Sequence, residues 1–228
     1  YTTDPNLTKS AKKINKISYE EMLEMASLGA KVMQPASIQE ARLNRIEIDV
    51  KSTFSKKSGT TITKKRNITG KNIIRGISFT KNDAKLTLLG VKDKPGIAAS
   101  IFKPLYENSI NVDMVVQNIS AGSKETDLTF TIKLEDLYKT RKLLENNKSI
   151  NFRKLIVNKN VSKVSIVGVG MITTPGVSYR MFRALAKKKI NIEVISTSEI
   201  KISVLINKKN LKKSVEILHQ EFKLSSSL

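Results

Sequence analysis

The chain has no cysteine and no tryptophan, one histidine, and aromatic residues at only 5% of its 228 positions. Without cysteine there is neither a disulfide framework nor a thiolate metal site. The one histidine, His219, has no ligand-spaced neighbours and reads as an ordinary surface or boundary residue of a helix. No run of about 18 apolar residues is present to span a membrane. The polar opening Tyr1-Thr2-Thr3-Asp4-Pro5 has neither the basic nor the apolar part of a secretory leader. A folded, cytoplasmic protein with no membrane partner is the expectation, since 39% hydrophobic residues suffice for ordinary cores.

Acidic residues are also scarce, 20 against 41 Lys and Arg, for a formal net charge of +21. Such an excess raises nucleic acid as a partner. The basic residues, however, are spread in small groups such as Lys64-Lys65-Arg66, Lys187-Lys188-Lys189 and Lys208-Lys209, beside turns and helix ends. Stacking aromatics are not interleaved with them, so they read as solvated faces, and no nucleic-acid partner is expected.

What the chain does contain is a duplication. Lys85-Leu-Thr-Leu-Leu-Gly-Val91 recurs as Lys163-Val-Ser-Ile-Val-Gly-Val169, Pro95-Gly96-Ile97 as Pro175-Gly176-Val177, and Ile110-Asn111-Val112-Asp113 as Ile190-Asn191-Ile192-Glu193. Each copy is too long for a solenoid repeat and suits a small domain. In the first copy the apolar spacing predicts a strand over Leu86–Val91, a helix from Ile97 to Asn108, strands over 110–120 and 126–133, a helix over 135–146 and a strand over 152–157. That order is βαββαβ. Pro104 is awkward inside the first helix, because it removes a backbone hydrogen bond. The second copy repeats the order over 164–169, 177–188, 190–196, 200–206 and 211–220. Its polar tail makes no convincing fourth strand, and a strand lent from Ile73 to Phe79 would place the first module inside the second.

The first seventy residues differ in character. Ser18 with Glu21 forms a capping box that opens a helix through Met22, Met25 and Leu28; Ser37 with Glu40 predicts the same device on a shorter helix. Ile46–Val50 alternates like a half-buried strand, and Lys56–Gly59 reads as a loop. Two helices and one unpartnered strand make a piece of something larger.

Both copies set Pro-Gly between a buried strand and the first turn of a helix. The unpaired N–H groups there suit a carboxylate, and Asp93 beside the first turn suits an ammonium group, so the pair could take a free α-amino acid. The same turn also serves as a plain helix start. Gly168-Val-Gly170 imitates a dinucleotide fingerprint but has Thr173 at the third glycine, so Gly168 reads as a close-packing position. Asp113, Glu125 and Asp127 fall on strand ends without a nucleophile or base and read as surface charge.

Four segments, Ile17–Met33, Asp93–Gly96, Asn111–Asn118 and Ile192–Ser203, resemble the carboxy-terminal part of bacterial aspartate kinase, and the likeness covers nearly the whole chain. It implies an α/β (α+β) fold with tandem ferredoxin-like βαββαβ ACT domains, the first inserted into the second, behind a partial amino-acid-kinase domain. The implied division is residues 1–70, 71–160 and 161–228. The family's kinase transfers the ATP γ-phosphoryl group to the aspartate side chain with Mg2+, but its Lys-Phe-Gly-Gly-type motif is absent here. The chain alone is therefore expected to be inactive and to hold no cofactor. The resemblance places Tyr1, Asp4 and Lys31 at nucleotide-contacting positions, with Asn6 where the family usually has Arg. It implies an effector pocket of Asp93, Pro95, Gly96, Ile97, Ala98 and Gln117 from one subunit and Asn191 and Ile192 from another, for lysine, threonine or both. A second pocket would use Asp113, Ser120 and the turn Thr174, Pro175, Gly176, Val177 and Ser178, although the family commonly has His at the Thr174 position. The implied partners are a homodimer mate bound through the ACT domains and the complete kinase chain. RNA-recognition modules share the βαββαβ order, but Glu125–Thr131 lacks their aromatic signature.

Overall fold

The computed structural model describes residues 1–30, 32–54, 56–64, 73–119 and 125–225. The chain divides into two compact units: residues 81–162, and residues 1–80 together with 163–228.

In the outer unit the chain begins with β1 (Lys16–Ser18), α1 (Tyr19–Ser27), α2 (Pro35–Leu43), β2 (Ile48–Val50) and β3 (Thr60–Thr63). The Ser18 capping box is complete: Glu21 N–H donates to Ser18 Oγ at 3.1 Å, and Ser18 N–H donates to Glu21 Oε2 at 3.3 Å. The second capping box is not formed. Gln34 is the N-cap without a side-chain bond and Pro35 takes the first turn, which leaves Ser37 inside the helix. Proline suits that position because its missing N–H would have no partner there. The expected lone strand has company in a three-stranded sheet of order β1-β3-β2, with β1 parallel and β2 antiparallel to β3. Strands β1 and β3, of three and four residues, are too short for alternation to be legible. Ile14, Ile17, Tyr19, Met25, Leu28, Ile38 and Ile62 form the core of this part.

The inserted unit contains the later part of β4 (Gly76–Lys92), then α3 (Ile97–Glu107), β5 (Val112–Ile119), β6 (Glu125–Lys133), α4 (Leu137–Glu145) and the first part of β7 (Lys154–Val167). Its strand order is β5-β6-β4-β7, with β6 antiparallel to both β5 and β4. Ile97, Ile101 and Leu105 recur at helical spacing and are buried against Leu86, Leu88 and Phe130. Full burial of each such side chain contributes on the order of 1.5–3 kcal/mol. Phe102 meets Phe130 edge to face, centroids 5.3 Å apart. Pro104 stays inside α3. The Ser100 carbonyl, which a proline four residues on cannot satisfy, accepts the Asn147 side-chain amide at 3.4 Å.

The outer unit then completes its second layer with residues 163–167 of β7, α5 (Val177–Lys187), β8 (Ile192–Thr197), β9 (Lys201–Asn207) and α6 (Leu211–Glu221). The strand order is β4-β7-β9-β8, the same 2-3-1-4 pattern as in the insert, with residues 76–80 of β4 in the fourth place. Arg75 N–H donates to the Val167 carbonyl at 2.7 Å where that edge begins. The first βαββαβ module is thus inserted into the second.

Candidate functional site

The two Pro-Gly turns have nearly the same geometry. Gly96 is the N-cap of α3 at φ +87°, and Gly176 is the N-cap of α5 at φ +86°. This left-handed backbone is one that glycine adopts without strain. A Cβ at either position would meet no heavy atom within 4 Å, so the space above both turns is open. Each opens an 11-residue helix whose first-turn N–H groups and dipole favour an anion.

Around the first turn, Asp93, Pro95 and Gly96 are exposed, Ala98 is half-buried and Ile97 is buried. Gln117 is exposed on β5, opposite Leu128 in the ladder. These six residues belong to the inserted unit. Asn191, exposed, and Ile192, half-buried at the start of β8, belong to the outer unit, as does the second turn. In that turn Pro175 and Gly176 are exposed, Thr174 and Ser178 half-buried and Val177 buried. Asp113 is exposed, and its Oδ1 accepts the Met114 N–H at 2.8 Å. Ser120 and Lys31 lie outside the described residues. Tyr1 is 59% exposed, and Asp4 Oδ1 accepts the Asn6 N–H at 2.8 Å, forming a turn.

Asp127 has a structural role, whereas Glu125 is an exposed surface charge, as the sequence suggests. Asp127 accepts the Gly90 N–H at 2.9 Å, and Glu125 pairs with Arg153 at 3.0 Å. Gly168 packs as expected, since a Cβ there would stand 2.2 Å from the Ile73 carbonyl oxygen.

Sequence reading missed two groups that join the first eighty residues to the second module. Glu21 is fully buried; its Oε1 accepts the Val169 N–H at 3.0 Å, and its Oε2 lies 3.5 Å from Nε of the buried Arg75. The other corrects an expectation: His219 is not at the surface but 0% exposed. Its Nε2 lies 2.8 Å from Thr2 Oγ1 and its Nδ1 3.3 Å from Ser10 Oγ. Burial lowers its pKa from the ordinary 6.5. The signal was present, because Leu211, Val215 and His219 recur every four residues on one buried stripe of α6.

Residues 86–147 and 164–222 match the ACT domain, and residues 1–52 match the amino acid kinase family. Fold and matches together define an ACT-domain protein that carries part of an amino acid kinase, rather than a pair of RNA-recognition modules. The aspartate kinase of Pseudomonas putida is 45% identical over 99% of this chain and 55% of its own length. The ligand-free regulatory subunit of aspartate kinase from Thermus thermophilus is 36% identical, with a TM-score of 0.62 over 66% of this chain and 99% of that one. Aspartokinase III of E. coli in complex with lysine and aspartate (T-state) is 26% identical, with a TM-score of 0.77 over 97% of this chain and 49% of that one. The chain belongs to the aspartate kinase family and carries its ACT region. It spans about half the length of the curated relatives it matches.

Proposed function

We propose that this chain is the feedback-sensing part of an aspartate kinase and binds lysine, threonine or both at its Pro-Gly turns. The observation that carries the reading is the pair of glycine-capped helix starts, alike in φ and open above the turn. First-turn N–H groups take the α-carboxylate. Asp93, exposed beside the first turn, takes the ammonium group, and Gln117 supplies a polar contact. Asn191 and Ile192 of a second subunit close the pocket in a homodimer formed through the ACT domains. The turn from Thr174 to Ser178, with Asp113 and Ser120, is a second pocket of the same kind. A lysine complex in a relative with 26% identity supports lysine as an effector.

Effector bound between modules favours the dimer arrangement in which the attached kinase is inactive, and it does so only by binding that state more tightly. The complete enzyme phosphorylates L-aspartate with ATP to 4-phospho-L-aspartate, the cytoplasmic entry to lysine, threonine and methionine. Tyr1, Asp4 and Lys31 contact its nucleotide. ATP and Mg2+ serve the complete enzyme, no residue of this chain is assigned to the metal, and the chain alone does not turn over aspartate. Among the described residues no helix is long and apolar enough to cross a membrane.

Calorimetric titration with lysine, threonine and an equimolar mixture, with aspartate as control, tests the reading. Saturable binding of lysine or threonine but not aspartate is expected. No binding to a folded dimeric chain overturns a sensing site built from this chain alone.

A further inference from the structure

We infer that His219 is a positioning residue: through its ring it holds Thr2, and with it the segment Tyr1–Ser10, against helix α6 of the second ACT module. That this segment matters to catalysis rests on the nucleotide reading of Tyr1 and Asp4 proposed above.

The geometry assigns the hydrogens. Thr2 Oγ1 already accepts the Lys12 N–H at 3.0 Å and faces His219 Nε2 at 2.8 Å. If Nε2 carried a proton, Thr2 Oγ1 would accept twice and its own buried hydroxyl hydrogen would point at nothing, which is costly where no water reaches. Thr2 therefore donates to a bare Nε2. The proton of the neutral ring sits on Nδ1 and points to Ser10 Oγ at 3.3 Å. Ser10 Oγ lies 2.9 Å from Thr8 Oγ1, so its hydroxyl extends the chain of bonds into the segment.

The backbone of Thr2 is pinned as well. Its N–H donates to the Lys12 carbonyl at 2.7 Å, and its carbonyl accepts the Ile77 N–H at 2.7 Å. Thr2, Thr3 and Thr8 are buried while Tyr1 is exposed. One side chain of α6 thus reaches across 217 residues of sequence to a threonine whose neighbours are the segment's candidate nucleotide contacts. On this inference a displacement of α6 displaces Thr2 with it. His219 is also fully buried on the stripe that Leu211 and Val215 continue into the module core, so the ring cannot swing away without opening that core.

The lone histidine makes the test direct. Imidazole 15N spectra of the chain near neutral pH are expected to show a single neutral tautomer, protonated at Nδ1 and bare at Nε2; a ring protonated at Nε2 overturns the assignment. Amide hydrogen exchange then tests the clamp. A glutamine side chain can set its carbonyl where Nε2 stands, whereas asparagine is too short to do so. His219→Asn is expected to speed exchange at Thr2, Lys12 and Ile77 at least tenfold while Val215 and Leu218 in α6 keep their protection, and His219→Gln is expected to restore wild-type exchange. Equal loss at all five amides in both variants means a merely structural histidine and overturns the proposal, as does no change in either. These readouts need no nucleotide and no turnover, so they stand apart from the catalytic reading. In the full-length kinase His219→Asn is expected to raise the nucleotide KM severalfold with kcat little changed and His219→Gln to reverse it; an unchanged KM beside accelerated exchange overturns the positioning role.

Discussion

The Glu21 carboxylate accepts the backbone N–H of Val169 at 3.0 Å across 148 residues of sequence. Its other oxygen closes the capping box of α1 and faces Arg75. One buried carboxylate therefore caps a helix of the kinase piece, compensates a buried cation and holds the turn that leads to Thr174–Ser178. Glu21→Ala removes all three at once and leaves Arg75 buried without its counter-charge, which predicts a loss of about 3–5 kcal/mol. Glu21→Gln, which keeps an acceptor for the cap, is expected to lose less. Urea unfolding checks both, and an alanine variant within about 0.5 kcal/mol of wild type would sink this account of the junction.

Alanine at Gly168 and at Gly96 is expected to destabilise to different extents. A Cβ at Gly168 would collide with the Ile73 carbonyl oxygen at 2.2 Å and the Ile74 Cα at 2.7 Å, both backbone atoms that cannot rotate aside. Gly168→Ala is expected to lose several kcal/mol, in the range that only named packing failures reach. Gly96→Ala meets open space and carries only the left-handed backbone penalty, about 1–2 kcal/mol. Thermal unfolding of the two variants side by side decides it, and a smaller loss for Gly168→Ala contradicts the packing.

Asp93 and Gln117 are exposed side chains of the insert. Asp93→Ala and Gln117→Ala are therefore expected to leave stability within about 0.5 kcal/mol of wild type. Effector affinity, measured by calorimetry, is expected to fall tenfold or more in each. Unchanged affinity in both variants removes these residues from the pocket.

His219 makes the outer unit sensitive to mild acid. Burial lowers its folded pKa below the ordinary 6.5, so the unfolded chain takes up a proton at a pH where the folded chain does not. The stabilising contribution is present above pH 6.5 and is lost as pH falls through the folded value. Between pH 6.5 and 5 the denaturation midpoint is expected to decline more steeply in wild type than in His219→Gln. Parallel curves for the two proteins would contradict the assignment.

The legible parts of this chain were those written locally and at length. Ser18-x-x-Glu21 announced a helix start because both partners of a capping box lie within one turn. The Ile97, Ile101 and Leu105 spacing announced α3, and the tolerance of Pro104 had to await Asn147, which lies far along the chain but beside the Ser100 carbonyl. Strands β1 and β3, with three and four residues, carry too few alternations to be read without their neighbours. The Ser37–Glu40 signature failed because Pro35, two residues earlier, had already begun the helix.

The candidate site divides along the same line. Pro95-Gly96 and Pro175-Gly176 could be found by comparing the chain with itself, and the residues alone argued for two helix starts suited to a carboxylate. Glu21 and His219 could not be placed that way. Glu21 reads only as a helix cap and His219 only as a surface or boundary residue, and the approach of Val169, Arg75, Thr2 and Ser10 is what buries them and gives them these partners. The chain by itself determined its repeated modules and its turns, because helix periodicity, caps and glycine conformations are set by neighbouring residues. The tertiary structure alone decided which polar groups join the kinase piece to the second module, because burial and polar partnership depend on segments far apart in the chain coming into contact.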